Sequence, residues 1–422
     1  MPRYRFYFIA VLSLLFALAA TVVLMNWLVD PLDVYRVVRK EGFNSVKSSY
    51  IPYARLAKPS QIERGQYQRL AIGSSRMLMG IPVANAAWAQ ASGPSGLSSS
   101  GFNAGIQGAD LRQIRDLFEH AVVTSNVKSV LIDVDLFMFN AWLSSGEYPY
   151  PLATFQETGK ERFVRERDTA LNLLFSPGVT LASIETLRKQ DVKKDKVMID
   201  GTTNPEKELA QVMGDGYEVR FRQFEDRLVR TGWSPCSDNR YAFSRKDFDK
   251  LQYFHEILEI AKQHHVNVTF FISPAHVRLL EMTHAAGLWD ETEDMKRKLV
   301  AEIVAVYGAE SDAVALWDFS GYHHYAQEAV PQKPGVAMQW YLDSSHFSQA
   351  LGHKMLDVMY GAPTAESGFG VQLRPDNIDA VLHAEREQQA AWQAEHAELS
   401  RDLHERTAAI LRDKKINGSV CK

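Results

Sequence analysis

The stretch Ala71-Ile72-Gly73-Ser74-Ser75-Arg76 decides how this chain is read. It follows a predicted strand, Tyr67 to Ile72, and precedes a helix or turn that begins near Met77. In an open α/β sheet, ligands collect outside the carboxyl ends of the strands, so a tight Gly-Ser-Ser there presents a hydroxyl at that edge. A second cluster, Asp343-Ser344-Ser345-His346, stands far downstream, just ahead of another predicted helix. A serine hydroxyl is a weak nucleophile until a base can take its proton. A histidine with a pKa near the working pH suits that task, and a carboxylate beside it holds the correct tautomer. Ser75, His346 and Asp343 have this composition, and the last two are close enough in sequence to share a loop. The blander roles are a turn cap for Ser75 and a loop or helix cap for Asp343.

Outward from that stretch, strands and helices alternate. Ser98 to Asn103 reads as a short strand, followed by the glycine-bearing turn Asn103 to Gly108. Ala109 to Val122 reads as a helix, with Leu111, Ile114, Leu117, Phe118 and Ala121 on one face. Val127 to Val134 reads as a strand ending in Asp133-Val134-Asp135. After a long interruption the alternation resumes: helix Phe248 to His264, strand Asn267 to Ile272, helix Glu291 to Tyr307, strand Ala313 to Trp317 and closing helix Ser348 to Met359, with Ser348 as its N-cap. Repeated strand, crossover helix and parallel strand predict an α/β fold with an open, mostly parallel sheet and helices on both faces.

Four segments frame the chain. Residues 1–29 hold a span, Phe6 to Met25, that carries no charge; twenty residues at about 1.5 Å each cover about 30 Å, one hydrocarbon core. Arg3 and Arg5 precede it, which predicts a cytoplasmic N-terminus and an exported remainder, with Trp27 at the interface. A small-residue site at Ala17-Leu18-Ala19 is the rival reading as a cleaved signal, but the apolar run continues through Thr21 to Met25, and an uncleaved anchor is expected. Residues 30–66 read as a connector in which Asp30-Pro31 ends the anchor helix and Pro52 and Pro59 stop regular structure. Residues 67–360 form the main domain, interrupted at about 136–249 by an aromatic and charged insertion expected to act as a lid or a small separate domain. Residues 361–422 hold a linker and, over Ile378 to Leu411, a long polar helix or short coiled coil with a thin stripe of Trp392, Leu399, Leu403 and Ile410.

Composition narrows the function. The formal net charge is -4, so no basic field favours nucleic acid. Two cysteines, Cys236 and Cys421, are too few for a cysteine zinc cluster and are either one disulfide or two thiols. No cofactor or metal is expected; Asp318 with His323 and His324 is the weak metal alternative, disfavoured because adjacent histidines do not usually aim at one ion. His276, after Ser273-Pro274, would lie at the carboxyl edge of the sheet as a substrate contact or as an ordinary loop histidine. Trp142, Trp340 and Tyr341 are candidate sugar-stacking faces or core residues.

An early Gly-x-Ser and a late Asp-x-x-His resemble the SGNH (GDSL-like) esterase and acyltransferase superfamily, over roughly residues 67 to 360. The bacterial envelope branch, which includes the alginate O-acetylation proteins and the D-alanylation protein of teichoic acids, commonly carries this Gly-Ser-Ser variant. The resemblance implies Ser75 as nucleophile, with Ser74 and Arg76 in place of the Asp and Leu of the Gly-Asp-Ser-Leu form. It implies oxyanion donors from the Ser75 amide and from Gly105, since Asn103-x-Gly105 is similar to the superfamily's glycine block. The third donor is usually an asparagine after the third strand, and here Asp135 stands in that place. An ionised carboxylate cannot donate, so Asn103 or Arg76 is the expected substitute, and Asp135 is left as a structural group or an acceptor-hydroxyl contact. The implied reaction is two-step: acyl transfer from a donor to Ser75, then to a hydroxyl of an exported or cell-envelope polysaccharide. The implied setting is the bacterial inner membrane with the catalytic domain periplasmic, and the implied partner is a polytopic membrane O-acyltransferase that supplies acyl groups. Deacetylation by the same chemistry and a catalytically weakened glycan-binding scaffold are the alternatives.

Overall fold

The computed structural model describes residues 2–48, 50–91, 101–143, 146–190, 197–233, 241–245 and 248–412. Cys236 and Cys421 lie outside the described residues, as does most of the segment expected to lead into the Ser98 to Asn103 strand. In chain order the first elements are α1 (Pro2–Val29), α2 (Ala54–Gly65), β1 (Arg69–Ile72), α3 (Ser75–Gly80), α4 (Ala86–Ala91), β2 (Phe102–Asn103), α5 (Leu111–Thr124) and β3 (Ser129–Asp133). The middle of the chain forms α6 (Gly159–Leu174), α7 (Pro177–Arg188), α8 (Pro205–Asp215), α9 (Tyr217–Arg227), and the small pair β4 (Ser244–Arg245) and β5 (Phe248–Asp249). Then come α10 (Leu251–Gln263), β6 (Asn267–Ile272), α11 (Val277–Ala285), α12 (Trp289–Tyr307), β7 (Val314–Asp318), α13 (Gln349–Met359), β8 (Val371–Gln372), α14 (Ile378–Glu395) and α15 (Ala397–Arg412).

The chain divides into two compact units. The first comprises Met1–Gln66, Val123–Ser125 and Glu147–Ile199. Its α1 is long and apolar enough to cross a membrane and stands near the chain start, as a membrane anchor or signal segment would. The helix stops at Val29 because Asp30 turns left-handed (φ 46°) and its carboxylate takes the amides of Val34, Tyr35 and Arg36 at 2.8, 3.0 and 2.8 Å. The connector differs from the expectation of irregular structure. Pro59 lies inside α2, where proline normally costs a helix hydrogen bond. Burial decides the conflict: Leu56, Ala57, Pro59 and Ile62 are all buried, and Gln61 accepts from the Tyr50 hydroxyl at 2.6 Å.

The second unit comprises Tyr67–Val122, Asn126–Gly146 and Asp200–Lys422 and carries the six-stranded sheet, in the order β2-β1-β3-β6-β7-β8. The pairs from β2 through β7 are parallel and β8 joins β7 antiparallel, so the fold is α/β with a mixed sheet flanked by helices. Parallel pairing brings Gly73, Val134, Ser273 and Phe319, each just past its strand, to one edge. Within β1, Arg69 is buried, donating to the Trp88 carbonyl at 3.0 Å with its guanidinium over the Trp88 ring. The α5 face behaves as its periodicity predicts, with Leu111, Ile114, Leu117, Phe118 and Ala121 all buried. Ser348 caps α13, accepting from the Leu351 amide.

The stretch 136–249 is shared between the units. Glu147–Ile199 belongs to the first, whereas α8 and α9 join the second and place Val212, Tyr217 and Phe221 in the sheet's core cluster. The C-terminal segment is two helices rather than one: α14 ends at Glu395 and His396, at φ -117° and ψ 41°, breaks it from α15. Trp392, Leu403 and Ile410 are buried, but Leu399 is exposed, because both helices pack on their own unit through separate clusters rather than on a coiled-coil partner.

Candidate active site

Ser75 opens α3 directly after β1, and Ser74 is the N-cap of that helix. Two contacts shape this turn. Ser74 donates to Asp133 twice, from its amide to Oδ1 at 2.9 Å and from its hydroxyl to Oδ2 at 2.6 Å. Gly73 is required by the same approach: a Cβ there would lie 1.5 Å from Asp133 Oδ1. The turn is thereby tied to the end of β3, and the half-buried Ser75 hydroxyl is left at the sheet edge.

Ser75 Oγ lies 2.8 Å from His346 Nε2, and His346 Nδ1 lies 2.7 Å from Asp343 Oδ2. The other Asp343 oxygen accepts the amides of Ser345 and His346 at 2.8 and 2.9 Å. Burial alone would raise the Asp343 carboxyl, but the His346 imidazole and those two amides outweigh it and hold it below the usual carboxylate range. An ionised Asp343 fixes the proton on Nδ1, which leaves the Nε2 lone pair facing the Ser75 hydroxyl. The three residues can therefore pass a proton from Ser75 to His346 while Asp343 stabilises the imidazolium.

Arg76 locks the two loops together. Its Nη1 pairs with Asp135 Oδ2 at 2.5 Å, its Nε and Nη2 donate to Ser345 Oγ at 2.9 and 2.6 Å, and Nε also reaches the Ser345 carbonyl at 3.2 Å. Asp135 in turn accepts the Ser273 hydroxyl at 3.2 Å. The carboxylate in the place of the expected asparagine is thus the counterion of Arg76 and neutralises it. Arg76 is committed to Asp135 and Ser345, and is not placed as a substitute oxyanion donor.

Two other expected donors are also committed. Asn103 Nδ2 donates to the carbonyls of Met77 and Ile81 at 2.8 and 3.2 Å, pinning α3, and its Oδ1 accepts the Gly105 amide at 2.9 Å. Gly105 serves close packing, since a Cβ there would lie 2.6 Å from the Leu78 nitrogen. The Ser75 amide is a helix-start N–H, a class with no intrahelical acceptor, and is the expected donor that remains suited to an oxyanion.

The substrate-contact candidates divide. His276 is buried: its Nε2 donates to the Glu328 carbonyl at 2.7 Å, its Nδ1 accepts the Arg278 amide at 3.3 Å, and burial pushes its pKa down to about 4. It is a neutral support, and its own amide holds the Ser344 carbonyl of the Asp343–His346 loop at 3.0 Å. Tyr341 is fully buried beside it, with ring centroids 5.5 Å apart, so no sugar ring can stack there. Trp340 and Trp142 are half-buried; the first packs edge-on to Tyr325 and the second lies under the Arg245 guanidinium at 4.1 Å. Asp318 pairs with buried Lys296 at 2.7 Å, His323 caps a turn through the Ala326 amide, and among the described residues no cluster of three or more His, Cys, Asp or Glu is placed to hold a metal ion.

Three neighbours escaped the sequence reading. Asp133 and Ser345 sit in the quoted motifs, and the hydrogen-bonding capacity of an Asp at a strand end was the available signal. Phe224 of α9 gave none: its ring meets the His346 ring edge-on with centroids 5.0 Å apart, so a helix from the interrupting stretch covers the candidate base. A small, mainly apolar cavity of about 90 Å³ is lined by Arg76 and Asp135 together with Phe137, Leu228, Leu279 and Met295, and by charged Lys296 and Glu385.

No protein-family model matches this chain, and no curated protein matches it.

Proposed function

We propose that this chain is a serine-dependent O-acyltransferase with an SGNH-like catalytic unit, anchored by α1 in a bacterial inner membrane and acting on the envelope side. The observation that carries the reading is the continuous chain of hydrogen bonds from Ser75 through His346 to Asp343. In the first step Ser75 Oγ attacks an acyl carbonyl, His346 Nε2 takes the hydroxyl proton, and the leaving group departs with that proton. In the second a hydroxyl of an exported or cell-envelope polysaccharide gives its proton to His346 Nε2 and attacks the acyl carbon, and as the bond to Ser75 Oγ breaks His346 returns that proton to Ser75. Acetyl is the proposed acyl group, delivered by a polytopic membrane O-acyltransferase.

Transfer is preferred over hydrolysis because Phe224 covers one side of His346, and a shielded base disfavours water as acceptor. The test is labelling with a serine-directed fluorophosphonate. The parent labels; Ser75→Ala does not; His346→Ala stays folded and loses acyl turnover. A folded parent that neither labels nor turns over esters would move the reading to a glycan-binding scaffold, and unchanged turnover in His346→Ala would remove His346 as the base.

A further inference from the structure

The first compact unit holds an apolar surface that the catalytic reading leaves unused. Helices α6 and α7 follow one another across a short break and are bent by 43°. From Thr169 to Ile184 the pair carries no charged residue, while Lys160 to Asp168 and Glu185 to Lys189 on either side are dense in charge of both signs. One face of the uncharged middle is buried, through Leu173, Val179, Ala182 and Ser183. The other face presents Leu171, Phe175 and Leu181 at 47, 49 and 66% exposure.

The position of this elbow relative to α1 is fixed by hydrogen bonds. Asn26 is buried; its Nδ2 donates to the Leu174 carbonyl at 2.8 Å and to Thr180 Oγ1 at 3.0 Å, and its Oδ1 accepts the Ser183 hydroxyl at 2.8 Å. Asn26 is the residue directly after the apolar run Phe6 to Met25. In the anchor reading, with Trp27 at the interface, the middle of the bent pair is held near the carboxyl end of the α1 span. A helix pair that crossed the bilayer would have its middle at the bilayer centre, and sixteen uncharged residues at about 1.5 Å each reach only about 24 Å, short of a span. A helix pair too short to span, bound to protein on one side and apolar on the other between charged ends, is instead suited to the interface plane, its exposed apolar side chains among the upper acyl chains.

We propose that the α6–α7 elbow is a second membrane contact: it lies flat on the bilayer that holds α1, with Leu171, Phe175 and Leu181 inserted below the headgroups. The occupant of this face is phospholipid, because the elbow is bonded to α1 at Asn26, and on either side of that contact α1 exposes Leu24 and Trp27, as a lipid-facing helix does. The inference rests on the anchor reading of α1.

The experiment uses the full chain in phosphatidylethanolamine–phosphatidylglycerol vesicles, with Cys236→Ser and Cys421→Ser as background. Spin labels are placed singly at Leu171→Cys, Phe175→Cys and Leu181→Cys, with Phe16→Cys as a control within α1 and Val219→Cys as an exposed control on α9. Power saturation compares collision with oxygen, which concentrates in lipid, and with a water-soluble nickel chelate. The elbow labels are expected to show an oxygen-to-nickel ratio well above Val219→Cys and below Phe16→Cys. Nickel-accessible elbow labels beside an oxygen-rich Phe16→Cys would overturn the inference and leave the anchor standing. Elbow labels shielded from both reagents would also overturn it, by showing a protein partner in place of lipid. A nickel-accessible Phe16→Cys would remove the anchor and this inference with it.

Discussion

Removing the Arg76 guanidinium should cost more than removing Arg76 and its partner together. Arg76 and Asp135 are both buried and 2.5 Å apart, and Arg76 also supplies three donor contacts to Ser345, next to His346. Arg76→Met leaves the Asp135 carboxylate buried with the Ser273 contacts alone, and losing one member of a buried pair costs about 3–5 kcal/mol. Asp135→Asn keeps an acceptor for Arg76 and Ser273 but strands the excess positive charge, at about 1–3 kcal/mol. In the double variant no buried charge is left over, so the cycle should show a favourable coupling of about 1–3 kcal/mol. The readout is hydrogen exchange by mass spectrometry on peptides covering residues 74–81 and 343–352, which gives the opening free energy of the two loops themselves. Both peptides should lose protection together in Arg76→Met and regain part of it in the double variant. Additivity within about 0.5 kcal/mol would refute the pairing, and loss confined to residues 74–81 would refute the role of Arg76 in tying the loops together.

Other outcomes follow from the same contacts. Asp343→Asn offers His346 Nδ1 an amide donor in place of a carboxylate, moves the proton to Nε2, and should lower kcat for ester turnover by about 10⁴ with little change in KM; a loss under about tenfold would contradict the tautomer argument. Asp133 is fully buried, and desolvation with the nearby Asp135 raises its pKa to about 7. An acid whose folded pKa is raised stabilises the fold most below its unfolded value of about 3.9 and loses that contribution as pH climbs to about 7, so the stability of the parent relative to Asp133→Asn should fall across this window in a thermal-shift series. Phe224→Ala uncovers one face of His346, and the half-life of an acyl-enzyme in water should shorten, read by time-resolved intact mass; an unchanged half-life would remove Phe224 as a barrier to water.

Much of this was legible because it was local or periodic. The strand Asn267–Ile272, the α5 face and the Ser348 cap each follow from spacing and residue type within a few positions. The pairing of Ser75 with His346 was legible only through motif order, since nothing local joins residues so far apart. What escaped was set by tertiary contact. Pro59 sits in a helix because its neighbours are buried. Asp135 looked like a misplaced oxyanion residue because its partner, Arg76, reaches it from another strand end. Asn103 and Gly105 looked like donors, but their hydrogen bonds close on α3 and on each other. His276 and Tyr341 looked like site residues by position, yet their side chains turn into the core, and no periodicity in a loop reveals that direction. The break at His396 has no glycine or proline to announce it.

The central claim is covalent chemistry at Ser75, and the most direct measurement is intact mass of the detergent-solubilised full chain after brief exposure to an activated acetyl ester. The account predicts a transient single-acetyl adduct on the parent that is absent from Ser75→Ala and that disappears faster when a polysaccharide acceptor is added. A folded parent with neither adduct nor ester turnover, or an adduct that persists in Ser75→Ala, would contradict it.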